Sequence, residues 1–152
     1  MKRTLPCLLL ILLLLPLFLT SCGAHVKDTN GEDTALCELT DERILAKAPS
    51  HVATAAVSSS FDQKQTLRVN KLSGVYAFPS HLATDSTLTV TLTTTLYEGN
   101  LRAVLLCDGE YVQDIPVGEA QTVTVKGANG RYQVRLAAES AKLDAELQFA
   151  EE

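Results

Sequence analysis

Thr87-Leu88-Thr89-Val90-Thr91-Leu92-Thr93-Thr94-Thr95-Leu96-Tyr97 reads with a period of two: Leu88, Val90, Leu92 and Leu96 share one parity, and Thr87, Thr89, Thr91, Thr93 and Thr95 the other. Successive side chains of a strand point to opposite faces, so the stretch predicts a β-strand with an aliphatic core face and a threonine face turned away. Threonine suits an exposed pleated surface, which accounts for the second face without a ligand.

The same period continues on both sides. Upstream, Leu67 and Val69 alternate with Arg68 and Asn70, and Leu72, Tyr76 and Phe78 resume on a new phase after Lys71, with Gly74 between them, which predicts a bulge or turn there. Downstream, Glu98-Gly99-Asn100 turns the chain into Leu101 to Cys107, whose apolar residues occupy both parities, as a strand covered on both sides would show. Asp108-Gly109 is a strong hairpin signal, and Pro116 confines the end of the returning strand, Tyr111 to Val117, to an edge. Gln121 to Val125 follows. Then Tyr132, Val134 and Leu136 are expected to face in, with Arg131, Gln133 and Arg135 facing out, and Leu143, Ala145, Leu147 and Phe149 close the pattern.

Helical periodicity is confined to Thr34 to Ala48, where Leu36, Leu39, Ile44 and Ala48 fall on one face and Pro49 stops the run. Ser50 to Gln65 is undecided between strand and loop. The expected fold is therefore all-β: an antiparallel β-sandwich of seven or eight short strands preceded by a short helix, with a small β-barrel as the alternative. Gly130-Arg131-Tyr132-Gln133-Val134-Arg135-Leu136 resembles the late strand of jelly-roll accessory domains attached to secreted bacterial peptidases. That resemblance implies a jelly-roll-like sandwich and no activity of its own.

The N-terminus reads differently. Met1-Lys2-Arg3 is a positive start, Leu5 to Leu19 is apolar, and Thr20 and Ser21 are small. This is the pattern of a secretory leader, shorter than the roughly 20 apolar residues of a spanning helix and interrupted by Pro6 and Pro16. Leu19-Thr20-Ser21-Cys22 resembles the lipobox of bacterial lipoproteins. The resemblance implies cleavage before Cys22, diacylglycerol on its thiol, and a protein held by lipid on the extracytoplasmic side of a membrane. The expected organisation is a signal peptide over 1–21, a flexible tether over 22–33, an N-terminal segment over 34–63 and the sandwich over 64–152. Within the tether, Asp28 to Asp33 starts like a calcium loop, but its glycine comes too early and no glutamate closes it, so it reads as solvated linker.

Loss of Lys2 and Arg3 with the leader takes the formal charge from −5 to −7, which opposes binding to nucleic acid or anionic lipid. Of the four cysteines, Cys37 and Cys107 would remain as thiols; they form either a disulfide or two unpaired buried cysteines.

Catalysis finds little support. His25, His51 and His81 are the candidate bases; His25 lies on the tether, while Ser50-His51 and Ser80-His81 read as loop residues. No Gly-x-Ser-x-Gly turn, Cys-x-x-Cys or His-Glu-x-x-His is present, so neither a nucleophile elbow nor a metal or other cofactor is expected. For a binding module, Tyr97 and Tyr111 are the candidate ligand contacts, since Tyr76 and Tyr132 share parity with core residues. The expectation is an exported, lipid-anchored, non-catalytic binding or assembly protein of the cell envelope with a protein or peptide partner. An accessory or inhibitory partner of an envelope enzyme is the alternative, and a hydrolase ranks below both. Cys22→Ser should leave an unacylated protein that no longer partitions into detergent. Intact mass checks this: an unmodified N-terminus at any residue other than Cys22 refutes lipidation.

Overall fold

The computed structural model describes residues 40–61 and 63–152. The signal segment, Cys22, the tether, His25, Cys37 and the start of the expected helix lie outside the described residues. The elements are α1 (Asp41–Ile44), β1 (His51–Thr54), β2 (Val57–Phe61), β3 (Lys64–Ala77), β4 (His81–Cys107), β5 (Glu110–Ile115) and β6 (Gln121–Glu151). The undecided stretch after Ser50 is thus two strands, and both pair with β3, so the sheet begins at His51.

β4 and β6 run for 27 and 31 residues without a break. Strands of this length cannot stay in one flat layer of a small domain. They bend, and each contributes to two layers. In the first, sheet I, Val57–Phe61 pairs with 64–68, which pairs with 144–148; 143–151 pairs with 88–96, and 88–92 also pairs with 121–125. In sheet II, β1 pairs with 71–74, 74–77 with 135–138, 132–138 with 101–107, and 103–107 with β5. Partners run antiparallel throughout: along the β4–β6 ladder Leu88 lies opposite Glu151 while Cys107 lies opposite Tyr132. The strand path ends at β1 and β2 on one side and at β5 on the other, so the sheet is open and the fold is a β-sandwich and not a closed barrel.

The turn from one layer to the other is sterically demanding. Gly99 has φ 81°, and a Cβ there would lie 2.4 Å from the Glu139 carbonyl oxygen and 2.6 Å from that of Ser140. Only glycine allows so close a crossing of β4 and β6. On β3 the corner coincides with the register shifts between Val69 and Gly74, where the phase of the sequence slips, and Ser73 Oγ accepts from the Ser140 amide at 3.1 Å.

The inner faces form one core. Leu67, Leu88, Val90, Leu92, Leu143, Leu147 and Phe149 of sheet I pack with Phe78, Leu105, Ile115, Tyr132, Val134 and Leu136 of sheet II. Each such aliphatic side chain stabilises the fold by roughly 1.5–3 kcal/mol through burial. The apolar residues of both parities in Leu101 to Cys107 are accounted for: Ala103 and Leu105 enter this core, while Val104 and Leu106 join Val75, Ala137 and Ile44 in a second cluster on the outer face of sheet II. α1 and the residues after it cover that face.

One expectation about orientation is corrected, and one outward-facing residue proves to be covered. Leu96 is exposed while Thr94 is buried, because β4 leaves the core as it approaches Gly99; Thr94 Oγ1 accepts from the Gly118 amide at 2.8 Å and donates to its carbonyl at 3.2 Å. Arg135 points away from the shared core as its parity requires, yet it is buried beneath the segment after α1. Its Nη1 donates to the carbonyls of Ile44 at 2.6 Å and Ala46 at 2.8 Å. Burial lowers the guanidinium pKa, and the two carbonyls repay part of the desolvation. Arg102 holds the same segment, with Nη1 2.5 Å from Asp41 Oδ1 and Nε 3.0 Å from Asp114 Oδ1.

The threonine strand supplies a direct check. Leu92 is 1% exposed and Thr93 lies on the opposite, partly open face. Leu92→Ala should cost about 2–5 kcal/mol and Thr93→Ala under about 1 kcal/mol in denaturant melts; equal small losses would mean the register is misread.

Candidate functional site

With the outer face of sheet II covered, the outer face of sheet I is the broad surface left to meet a partner. Register arranges its side chains in rows that cross the strands. One row runs Phe61, Lys64, Gln148, Thr91, Thr122; the next Ser59, Thr66, Glu146, Thr93; the third Val57, Arg68, Asp144, Thr95. Between the last two lies a groove of about 460 Å³ lined by Val57, Thr66, Arg68, Thr93, Thr95, Asp144 and Glu146.

Groups of opposite charge are interleaved on this face. Lys64 Nζ lies 2.7 Å from Glu146 Oε1, and Arg68 Nε donates to Asp144 Oδ1 at 3.0 Å. The hydroxyls of Ser59 and Thr66 are 2.7 Å apart, and those of Thr91 and Thr122 are 3.3 Å apart. The face therefore carries paired donors and acceptors spread along an extended line. No histidine lines it.

Tyr97 stands at its margin. The phenol donates to Asp144 Oδ2 at 3.2 Å, Lys142 Nζ sits 5.8 Å from the ring centroid, and the side chain borders an adjoining recess of about 360 Å³ with Arg68, Asn70, Lys142 and Asp144. Tyr111 is not brought to this face: it pairs with Leu106 on β5, in the other layer. Cys107 ends β4 beside the hairpin, with its sulfur 3.8 Å from Asp108 Oδ2 and 3.7 Å from the Asn129 carbonyl, while Cys37 lies outside the described residues.

The expected loop histidines are both on strands. His51 opens β1 edge-on to Tyr76, with ring centroids 5.3 Å apart. His81, read from sequence as a loop residue, instead opens β4, pairs with Glu151 and stacks on Phe149 at 5.0 Å, a structural role at the sheet margin. Among the described residues, no group of three or more His, Cys, Asp or Glu side chains is placed to hold a metal ion, and no helix is long and apolar enough to cross a membrane.

Sequence reading missed Val57 and Phe61, which border this face from β2 and are 67% and 83% exposed. Their signal was the alternation Val57-x-Ser59-x-Phe61, masked by the serine run between them.

The fold and face together define an antiparallel β-sandwich with a polar groove across one sheet. No family model matches the chain, and no curated protein matches it. Among solved structures, a carbohydrate-binding module, CBM36, in complex with calcium and xylotriose is similar at 20% identity and a TM-score of 0.32, over 67% of this chain and 93% of that one. A likeness so distant assigns this groove no ligand.

The ion pairs of the face contribute little to stability, because their members are largely solvated. Asp144→Ala, which removes the partner of both Arg68 and Tyr97, should cost no more than about 1 kcal/mol in thermal melts, leaving a folded protein in which the groove alone is altered.

Proposed function

We propose that this chain is an exported, lipid-anchored, non-catalytic binding protein of the cell envelope, and that the groove on sheet I receives its protein or peptide partner. The observation that carries the reading is the contrast between the two outer faces. α1 lies over the apolar cluster of sheet II, with its segment fastened through Arg102 and Arg135, whereas sheet I presents rows of threonine hydroxyls and interleaved charges to solvent. An extended peptide carries alternating donors and acceptors along its backbone, and a groove of hydroxyls with both signs of charge matches such a ligand better than it matches an apolar one. Both of the groove's carboxylates are engaged, Glu146 by Lys64 and Asp144 by Arg68 and Tyr97. The resemblance of Leu19-Thr20-Ser21-Cys22 to a lipobox supports the anchor and, with it, an extracytoplasmic groove.

The experiment separates groove from lipid. Unacylated Cys22→Ser protein is sedimented with isolated cell envelopes, alone and with the further pair Thr93→Lys and Thr95→Lys. Retention of the first and roughly tenfold weaker retention of the second is expected, about 1.4 kcal/mol of binding. No retention of the Cys22→Ser protein, or equal retention of both, would refute the binding role of this face.

A further inference from the structure

The margin of the sandwich formed by β1 and β2 is unlike the others. All residues of both strands are exposed, Val52 at 75%, Val57 at 67% and Phe61 at 83%. Both pair with β3 on one side, and among the described residues no strand occupies the other. The ladder, the Ser59–Thr66 hydroxyl pair and the edge-on contact of His51 with Tyr76 hold them, and their free edge presents unpaired N–H and C=O groups beside large apolar side chains. Natural edges are commonly blunted by charge or proline, but His51 to Phe61 contains neither Asp, Glu, Lys, Arg nor Pro. Of the other margins, β5 carries Glu110 and Asp114 and is followed by Pro116, and 121–125, also uncharged, is flanked by Glu119 and Lys126 and exposes Thr122 and Thr124 but no large apolar side chain.

We propose that this edge is an interface between two copies of the chain, in which β2 pairs antiparallel with β2 of the partner subunit about a two-fold axis through Ser59. The pattern Val57-Ser58-Ser59-Ser60-Phe61 complements itself. Centred on Ser59, Val57 lies opposite Phe61 of the partner subunit, Ser58 opposite Ser60 of the partner subunit, and Ser59 opposite its own copy. The two-fold operation makes each apolar contact twice, as a closed dimer interface does. Electrostatics favour a second copy as occupant: an uncharged strand sets no like charges against each other, and Lys64 and Arg68, one strand behind, are already paired with Glu146 and Asp144. Val57 and Phe61 share the outer face of sheet I, so the cross-strand pair forms on that face. Val57 lines the groove, and Phe61 of the partner subunit would continue its wall. The groove is then completed by both copies. The inference concerns the edge alone and does not rest on what the groove binds or on the lipid.

Residues directly opposite in an antiparallel pair have Cα atoms about 4.5–5.5 Å apart, within the roughly 4.4–6.8 Å that a disulfide spans. A cysteine on the axis should therefore link to its copy, and one beside the axis should not. The full-length chain in mild detergent is examined by sedimentation equilibrium and, after mild oxidation, on non-reducing gels. Expected are a reversible dimer, at least roughly tenfold more covalent dimer from Ser59→Cys than from the unaltered chain, and no such gain from Ser60→Cys. Phe61→Lys, at an exposed site, should keep the thermal midpoint of the monomer and raise the dimer dissociation constant at least about tenfold. A monomer up to about 1 mM, or equal linkage from positions 59 and 60, would overturn the proposal. So would a Ser59→Cys disulfide formed within one chain to Cys37, which would give the edge to the N-terminal segment instead.

Discussion

The crossing of β4 over β6 at Gly99 is the constraint on which the rest of the structure depends. Two strands of 27 and 31 residues stay paired through a change of layer, and this is sterically allowed only where one lacks a Cβ and can adopt φ 81°. Ser140 on the facing strand has φ 50°, and its amide is bound by Ser73 of β3, so the three long strands bend at one place. From that bend follow both layers, the single core between them and the existence of two outer faces with different fates.

Those fates are decided by composition. Sheet II has Val75, Val104, Leu106 and Ala137 on its outer side, and such a surface needs a cover; Ile44 supplies it, with Arg102 and Arg135 fastening the covering segment. Sheet I has threonine, serine, lysine, arginine and carboxylates there. It requires no cover, so the groove stays open. The placement of α1 is thus as informative about the candidate site as the groove residues are, since it removes one of two faces from consideration.

What could be read from the sequence tracks how local the determining physics is. Alternation located β3, β4 and β6, the Asp108-Gly109 turn and the buried face of Leu88, Val90 and Leu92, because side-chain direction in a strand depends on neighbours in the chain. The double parity of Leu101 to Cys107 even announced a cover on the second face. The short strands read from the sequence run on into one another in the molecule, because a strand that bends at glycine looks, in one dimension, like two strands and a turn. The groove was harder to see. It arises from register between residues as far apart as Val57, Thr95 and Asp144, and of the aromatic candidates only Tyr97 borders it. Leu96 defied alternation because the corner carries it out of the core, and Arg135, though it faces outward as alternation requires, is buried under the α1 segment.

The pairing of Thr87 with Glu152 has a consequence for the order of assembly. The Thr87 amide donates to the Glu152 carbonyl at 2.9 Å, the Thr87 carbonyl accepts from the Glu152 amide at 3.0 Å, and Leu88 to Leu92 take 147–151 as one neighbour. The most regular strand of the core therefore lacks a flank until the last residues of this sequence are in place. Contacts of such long sequence separation are slow to form, because loop closure must precede the gain from pairing. The β2–β3 and β4–β5 hairpins, whose partners are near in sequence, can form before them, and the sandwich condenses only once 143–151 reaches back to 88–96.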